Sequence, residues 1–414
     1  MIDQKTHQAR CAPHLLALTL IVSLAGCAVP PGGPPTASPA PPITAIPYSD
    51  AVLKAANGLF AKAASPLTGS GTAVRKMLVI DPLIDGATAV QSTATQSMEA
   101  RIVDLVKAKY PQFDVQPFTA SNVAKSPLVF IGTFTPVNQQ GNTAGVREAF
   151  RICLALLDIK SGKIVSKARE FAQPEGVNIT PTKFFKDSPT WAPDPATEGY
   201  IKTCQGTKPG DPINPLYWDR IMAAGLINEA IDAYDNGRYQ QSLELYQQAR
   251  RSVGGDQLRV LNGLYLTNWN LGRRGEAAQA FAQLVDFGLT NNRLGVKFLF
   301  RPGSTELVGN RQVAGQYPMW LGQIAQRTAQ RQGCLEVVGH TSRTGPEPIN
   351  ERLSLLRAQQ IKQRLEADAP TLSSRTIASG MGSRETLVGI GTDDARDALD
   401  RRVEFKVLDC ATPK

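Results

Sequence analysis

The stretch GHTS at residues 339–342, followed after a polar loop by NERLSLLRA at residues 350–358, decides the fold of the C-terminal part of this 414-residue chain. Residues 335–338 predict a strand that runs into this glycine-bearing turn. Residues 343–348 predict a loop. We expect a helix to begin at Asn350, whose side chain suits the N-cap position.

Apolar side chains recur at helical spacing after residue 350. At about 100° per residue, Leu353, Ala358, Ile361 and Leu365 lie on one face, and Arg357 lies inside that face. A buried guanidinium is unfavourable unless it is paired, and its planar fork suits a carboxylate. We therefore expect Arg357 to meet a carboxylate, either from an Asp or Glu of the same domain or from a ligand.

Three separated motifs, GHT at 339–341, N-x-x-LS-x-x-RA at 350–358 and DRRVE at 400–404, resemble the peptidoglycan-binding domain of the OmpA-like family. We assign this domain to residues 292–414. The resemblance implies a βαβαββ fold with a mixed sheet, and a pocket for the diaminopimelate of the cell-wall stem peptide in which Arg357 takes the ligand's carboxylate. The residues expected to bind peptidoglycan are Thr341, Ser342, Asn350, Leu353 and Arg357.

The chain departs from the family pattern at Ser342, where the family has an Asp that takes the ligand's ammonium. Ser342 brings no charge, and losing a charge-assisted hydrogen bond costs about 1.5–3 kcal/mol, or roughly tenfold to hundredfold in affinity. Glu347 or Glu351 can substitute for the missing acid. Alternatively, the domain keeps its fold but binds peptidoglycan weakly, or it binds a different carboxylate ligand. The sequence leaves these alternatives open.

Residues 1–26 have the features of a lipoprotein signal peptide. Lys5 and Arg10 precede an apolar run at 15–24 that is too short to span a membrane, and the run ends in LAGC at 24–27. This ending resembles the bacterial lipobox, which implies lipidation (palmitate among the acyl chains) of Cys27; ordinary signal cleavage nearby is the alternative. Ala28 stands where an Asp would resemble an inner-membrane retention signal, which favours an outer-membrane anchor facing the periplasm.

Residues 27–50 are rich in proline among glycine, alanine, serine and threonine. This composition favours extended polyproline II and predicts a tether rather than a packed domain.

Four cysteines remain after the predicted signal peptide and Cys27. Cys153, Cys204, Cys334 and Cys410 are an even number in an oxidising compartment. We favour the pairs Cys334–Cys410 and Cys153–Cys204, because each stays within one predicted domain; other pairings and free thiols remain open. No closely spaced Cys-x-x-Cys occurs in the sequence, which argues against a zinc or redox site.

Residues 51–215 predict an α/β periplasmic docking domain. Residues 76–81 (KMLVID) predict a strand, residues 89–109 a helix, and residues 150–171 a hairpin with its turn at 160–163. The pattern weakly resembles lipoproteins that activate penicillin-binding proteins and curli-secretion lipoproteins, and it implies protein docking.

Residues 173–217 predict a long irregular stretch rich in proline, aspartate, glycine and threonine. Trp191, Tyr217 and Trp218 are either exposed anchors for a partner or aromatics that pin the loop onto its own domain. We favour the second interpretation.

Residues 216–291 predict short helical repeats. Gly237 and Gly272 are 35 residues apart, with Tyr246 and Phe281 at matching positions. The pattern resembles two tetratricopeptide-like repeats, which implies peptide or protein binding; a helical spacer is the alternative. Because two repeats are fewer than such arrays need for stability, we expect them to pack on a neighbouring domain.

Composition limits the other classes of function. The net charge is +9, but basic and acidic residues are interspersed, so we expect no nucleic-acid partner.

His340 is the only histidine after the predicted signal peptide, so a histidine-based metal cluster is excluded. A Ser-His-Asp hydrolase would need His340 as its base. No phosphate-binding motif is present, and Gly389 and Gly391 lack the rest of such a pattern. We predict no enzyme activity, no cofactor and no metal.

The sequence therefore predicts an α+β multidomain lipoprotein of the outer membrane. It would bind peptidoglycan through its C-terminal domain and recruit a periplasmic protein, such as a cell-wall synthase. One alternative is an accessory lipoprotein of a secretion or surface-assembly machine with weak or no peptidoglycan binding. An enzyme that acts on the wall through His340 is a third hypothesis.

Overall fold

The computed structural model describes residues 42–64, 75–143, 147–292, 294–308, 315–387, 389 and 397–410. The predicted signal peptide, Cys27 and the predicted tether up to residue 41 lie outside the described residues. From Pro42 onward the chain forms one compact unit. Within the described ranges, no helix has both the length and the apolar character that crossing a membrane requires.

A mixed sheet forms the first part of the fold. Its elements are α1 (Tyr48–Ala64), β1 (Lys76–Ile80), β2 (Ile84–Asp85), α2 (Thr93–Lys109), β3 (Phe113–Gln116), α3 (Ala120–Val123), β4 (Leu128–Val137), β5 (Ala149–Asp158), β6 (Lys163–Ala172), α4 (Lys183–Asp187), α5 (Pro195–Gln205) and α6 (Pro215–Trp218). The strand order is β3-β1-β4-β5-β6, and β2 pairs with β4. Strands β3, β1 and β4 are parallel, whereas β4, β5 and β6 are antiparallel.

Strand β4 is the centre of this sheet, and all ten of its residues are buried. Alternate side chains of a strand point to opposite faces. Phe130 and Phe134 enter a core with α1 and α2, whereas Val129 and Ile131 enter a core with Tyr200 and other residues of α5, α6 and the helix that follows. The strand is covered on both faces, as its continuous apolar run predicts.

Two predictions for this part are wrong in detail. The predicted tether extends to residue 50, but Ile46 already pairs with Ala172 and α1 begins at Tyr48, because alternating alanines and larger apolar residues give α1 a packing face. The stretch 173–217 was predicted to be irregular but contains α4, α5 and α6. Helix α5 begins at a capping box in which Asp194 and Thr197 bond each other's backbone N–H.

The three aromatic residues of this stretch lie in different environments. Trp191 is buried and donates a 2.6 Å hydrogen bond to the carbonyl of Phe185. Tyr217 is buried and donates a 2.7 Å hydrogen bond to Asp81 Oδ2. These two residues pin the loop onto its own domain, as predicted, whereas Trp218 remains 37% exposed.

Two helix pairs follow: α7 (Ile221–Asp235) with α8 (Tyr239–Arg251), and α9 (Leu258–Asn270) with α10 (Arg274–Thr290). Gly237 and Gly272 lie in the turns within each pair with φ of +74° and +76°, a conformation that favours glycine. Tyr246 of α8 packs on Gly263 of α9, where an added Cβ would lie 2.1 Å from its ring.

The last part is a four-stranded mixed sheet packed against two helices. Its elements are β7 (Phe298–Leu299), α11 (Tyr317–Gln330), β8 (Cys334–Gly339), α12 (Glu347–Asp368), a 3-10 turn (Pro370–Leu372), β9 (Thr376–Gly380), α13 (Asp397–Asp400) and β10 (Arg402–Leu408). The order is β7-β10-β8-β9, with β8 and β9 parallel and β10 antiparallel to β7 and β8. The predicted α+β class and the mixed sheet of this part are confirmed.

The helix pairs share one hydrophobic core with this last part. Phe281 of α10 stacks on Trp320 of α11, with ring centroids 5.4 Å apart and an interplanar angle of 5°. The two pairs therefore pack on a neighbouring sheet domain, as expected for so short an array.

The four cysteines lie as two pairs. Cys334 and Cys410 form a disulfide that joins the start of β8 to the end of β10. Cys153 and Cys204 are buried free thiols with their Sγ atoms 2.7 Å apart. The structure therefore brings the second predicted pair together without a bond between the two sulfur atoms.

Candidate functional site

Close backbone packing forms the floor of the candidate site. A Cβ added at Gly339 would lie 1.9 Å from the carbonyl oxygen of Ser354, and one added at Gly380 would lie 2.7 Å from the backbone nitrogen of Leu355. Glycine is thus required at the ends of β8 and β9 so that α12 can lie directly on the sheet. This packing brings Arg357 to the turn that follows Gly339.

Arg357 donates hydrogen bonds to three backbone carbonyls. Its Nε bonds Ser304 O at 2.9 Å, its Nη1 bonds His340 O at 3.3 Å, and its Nη2 bonds Arg301 O at 3.0 Å. The prediction that Arg357 meets a carboxylate of its own domain is therefore wrong. The accepting carbonyls belong to turn and loop residues, which lack partners in a strand ladder.

The Arg357 guanidinium is closed to solvent in this structure. The residue is 0% exposed and lies 5.2 Å from the centroid of the Phe300 ring. Burial, and then the charge of Arg401, lower the pKa of Arg357 to about 10, so the group stays protonated at neutral pH. A guanidinium has five N–H donors, and three bonds leave two for a ligand carboxylate. Such a ligand needs the cover over Arg357 to open.

The turn after Gly339 supplies the next two predicted residues. Thr341 donates its backbone N–H to Gly382 O at 2.8 Å, and its Oγ1 is buried with no hydrogen-bond partner in the described part of the chain. Ser342 is 5% exposed, and its Oγ lies 3.4 Å from Thr344 Oγ1. An unsatisfied buried hydroxyl is unfavourable, so Thr341 Oγ1 is a polar group available to a ligand.

Asn350 and Leu353 support the site from α12. The helix begins at Glu347, three residues before the predicted start, because Pro348 in the first turn needs no N–H partner. Asn350 is therefore not the N-cap. Its Nδ2 donates a 3.3 Å hydrogen bond back to Gly345 O and holds the loop. Leu353 is half-buried, whereas Ala358, Ile361 and Leu365 are fully buried on the predicted face.

The two proposed substitute acids are already paired with the segment that follows β9. Glu347 accepts hydrogen bonds from the backbone N–H (3.0 Å) and the hydroxyl of Ser383. Glu351 pairs with Arg384. In this structure both acids are engaged by residues other than Ser342.

A buried ionic network lies beside the turn. His340 is 0% exposed, with Nε2 3.1 Å from Glu404 Oε1 and Nδ1 3.8 Å from Glu385 Oε2. Arg402 donates to Glu404 Oε1 at 3.1 Å. Burial alone would raise the pKa of Glu404, but Arg402 and His340 outweigh it and hold the pKa well below its usual range. Burial and then Arg402 lower the pKa of His340.

Of this network, the sequence analysis considered only His340, as the base of a hypothetical hydrolase. Arg402 and Glu404 belong to the DRRVE motif, but no role was predicted for them. The ligand atoms of His340, Glu385 and Glu404 lie within 4.8 Å of one another, a geometry that a metal ion can use. Arg402 already neutralises Glu404, and a cation there would face the guanidinium charge. Arg402 and Glu404 therefore form an internal ion pair beside His340.

Comparison with known proteins places this region in a family. Residues 299–399 match the OmpA family. The chain is 40% identical over 73 residues to outer membrane porin F of Pseudomonas fluorescens, covering 18% of this chain and 22% of the porin. It is 30% identical over 92 residues to outer membrane protein Omp38 of Acinetobacter baumannii, covering 22% of this chain and 26% of that protein.

The chain thus spans about a quarter of the length of the curated relatives that it matches. Among solved structures, the peptidoglycan-associated lipoprotein from Burkholderia pseudomallei is 22% identical, with 27% of this chain and 89% of that chain covered and a TM-score of 0.24. The part of this chain that carries the Gly339 turn and Arg357 is an OmpA-like domain.

Proposed function

We propose that this protein is a lipoprotein of the cell envelope that contacts peptidoglycan through its OmpA-like domain and recruits a periplasmic protein through the preceding domains. The observation that carries the proposal is the juxtaposition of Arg357 with the turn of residues 339–342 inside the region that matches the OmpA family. The two unused N–H groups of Arg357 and the unsatisfied Thr341 hydroxyl are the groups that would meet the stem peptide.

The sequence supports an anchor at the other end of the chain. In this proposal Cys27 is lipidated and the proline-rich segment spans the distance between the outer membrane and the folded unit. Lipid at one end and peptidoglycan at the other raise the effective concentration of the domain at the wall. A weak wall contact is then sufficient for tethering.

Sedimentation with isolated diaminopimelate-type sacculi tests the wall contact. The full chain would be compared with Ser342→Asp, which restores the family's charge, and with Arg357→Lys, which keeps the charge but loses the fork. Arg364→Ala, an exposed arginine of the same helix, is the matched control. We expect wild type and the control to pellet equally, Ser342→Asp to pellet more, and Arg357→Lys to pellet less. Absence of wild type from the pellet would contradict the tether.

A second candidate function is supported by the closed state of the site. Arg357 is fully buried on backbone carbonyls, Ser342 lacks the family's charge, and Glu347 and Glu351 are paired elsewhere. These features favour a chain that keeps the fold and serves as an accessory lipoprotein of a secretion or surface-assembly machine. Pelleting by Ser342→Asp alone would support this candidate.

The partner protein discriminates between the two functions. The full chain would be cross-linked in intact cells and purified, and the proteins that accompany it identified by mass spectrometry. A cell-wall synthase supports the tether and recruitment proposal, whereas secretion components support the accessory role.

A further inference from the structure

A cavity of about 800 Å³ is lined by α2, by α7 and by the residues that follow strands β1 and β3. Its volume is within the range of small-molecule sites, roughly 300–1,000 Å³. Strands β1 and β3 are parallel, and β3 and β4 lie on opposite sides of β1, so the strand order reverses there. In α/β sheets, ligands commonly bind beyond the carboxyl ends of the strands at such a reversal. None of the residues assigned to peptidoglycan binding lines this cavity.

The cavity is acidic, although the chain as a whole has a net charge of +9. Carboxylates line it from two helices: Glu99 and Asp104 of α2, and Glu229, Asp232 and Asp235 of α7. Of the lining residues that the structure describes, only Arg238 is cationic, and it pairs with Asp232. The two helices therefore present an excess of negative charge to the same space.

Two of these acids accept hydrogen bonds from backbone groups of the protein. Glu229 Oε1 accepts a 3.0 Å hydrogen bond from the N–H of Ala120, and Asp235 Oδ1 accepts one of 2.7 Å from the N–H of Phe184. These donors are neutral, and each carboxylate keeps further acceptor positions. The backbone thus satisfies part of the hydrogen bonding but supplies no full positive charge.

The pKa values of two lining acids reflect this lack of counter-charge. Burial, and then the charge of Asp81, raise the pKa of Glu99 to about 7. Burial raises the pKa of Asp235 to about 6, although the Phe184 N–H and the charge of Lys183 oppose the shift. A cation in the cavity would favour the ionised form of both acids, so both acids would favour its binding.

A buried amide is the second feature of the cavity that points to a ligand. Gln91 lines the cavity and is only 7% exposed. Its backbone carbonyl accepts a hydrogen bond from the N–H of Thr182, but its side-chain amide has no partner in the described part of the chain. Buried polar side chains are nearly always paired. The amide oxygen of Gln91 can accept a hydrogen bond from an ammonium group.

The distribution of the acids favours an extended organic cation over a metal ion. Among the described residues, no three acids of this cavity bring their oxygens within 4.8 Å of one another, as a metal ion would need. Ile80, Val103 and Phe118 also line the cavity and give it apolar surface. Methylene groups can pack on such surface, while ammonium groups pair with carboxylates.

We propose that this cavity binds an organic diamine or polyamine, whose ammonium groups pair with the carboxylates of α2 and α7 and whose methylene chain packs on Ile80, Val103 and Phe118. Gln91 accepts a hydrogen bond from an ammonium group of the same ligand. The site is separate from Arg357 and does not rest on the proposed wall contact. An occupant would bridge α2 of the first sheet to α7 of the first helix pair.

Calorimetric titration of the purified full-length chain at pH 8 tests the proposal with probes of matched length. The probes are 1,8-diaminooctane, 8-amino-1-octanol and 1,8-octanediol, which carry two, one and no ammonium groups. We expect the diamine to bind about tenfold to hundredfold more tightly than the diol, the gain of charge-assisted hydrogen bonds, with the amino alcohol between them. Equal affinities, or no binding of any probe, would overturn the proposal. An amino alcohol that binds as tightly as the diamine would contradict pairing at both helices.

Substitutions in the cavity locate the binding. Glu99→Gln and Asp235→Asn each remove one charge at constant size, and Gln91→Met removes the amide; each should weaken diamine binding about tenfold. Glu276→Gln, an exposed acid of α10 outside the cavity, is the matched control and should bind as wild type does. Ala100→Trp places an indole in the cavity and should abolish binding of all three probes. Wild-type diamine binding by Ala100→Trp, or by both charge variants, would place the probe elsewhere and refute the site.

Discussion

The Nη1 atom of Arg357 donates a 3.3 Å hydrogen bond to the carbonyl oxygen of His340, the residue that follows the last glycine of β8. With the bonds to Ser304 and Arg301, this contact ties α12 to two separate loops. The arginine expected to bind ligand is therefore also a structural residue of the OmpA-like domain.

Removal of this side chain should destabilise the domain. We expect Arg357→Ala to lower the free energy of unfolding by about 3–5 kcal/mol, because it removes three hydrogen bonds and the packing of a fully buried side chain, and leaves the buried His340 carbonyl without this donor. Urea denaturation of the full chain measures the change, with the exposed Arg364→Ala as control. A loss no larger than that of the control would show that the three bonds contribute little. The wall-binding test for this reason uses Arg357→Lys.

The position of Arg357 could be predicted from the sequence, but its partners could not. The 3.6-residue period places it on the face with Ala358 and Ile361, and the structure buries all three. Backbone carbonyls are present at every residue and leave no trace in the sequence, so a partner search among side chains finds only carboxylates.

Other features could have been predicted from the sequence, but a competing signal led to a different prediction. The DPAT sequence at 194–197 is a helix start, with an N-cap Asp and a Thr three residues later, yet the proline-rich surroundings favoured an irregular segment. Gly339 was predicted to lie in a turn, but it is the last residue of β8 and the turn begins after it. Glycine is required at this position because α12 lies directly against it. A tertiary contact of this kind cannot be predicted from a local sequence pattern.

A pair of glycine substitutions should change stability in opposite directions. Gly339→Ala places a Cβ 1.9 Å from Ser354 O, and we expect a loss of about 3 kcal/mol or more as α12 is pushed from the sheet. Gly322→Ala, inside α11 with nothing within 4 Å of the added Cβ, should gain about 0.5–1 kcal/mol. Thermal unfolding of both variants provides the comparison. Similar melting temperatures for the two would contradict this account of Gly339.

The thiols of Cys153 and Cys204 should be bonded in protein exported to the periplasm. Their Sγ atoms are 2.7 Å apart, close to the roughly 2.05 Å of a disulfide, and an oxidising compartment supplies the acceptor for their electrons. Peptide mapping of unreduced protein should recover a Cys153–Cys204 peptide together with the Cys334–Cys410 peptide, which serves as internal control. Maleimide labelling of Cys153 and Cys204 in denatured, unreduced protein would show that the pair stays reduced.

Asp81 should make stability depend on pH in a defined direction. It is buried at the end of β1 and accepts a hydrogen bond from Tyr217; burial raises its pKa to about 6, while Arg259 and Tyr217 oppose the shift. Because an unfolded aspartate has a pKa near 3.9, the folded state binds the extra proton between about pH 4 and 6. The free energy of unfolding should therefore rise as the pH falls from about 6 to about 4, and the contribution of Asp81 to stability is lowest above pH 6.

Asp81→Asn isolates this effect, because asparagine keeps an acceptor for Tyr217 without the charge. The variant should exceed wild type in unfolding free energy by about 3 kcal/mol at most above pH 7, and the difference should shrink towards zero near pH 4. Burial, and then the charge of Asp81, raise the pKa of Glu99 to about 7. In the variant this pKa should fall, because the acidic neighbour is lost. Urea unfolding at pH 4.5, 6.0 and 7.5, with the exposed Asp104→Asn as control, measures the difference. A difference that does not change with pH would mean that Asp81 ionises alike in both states.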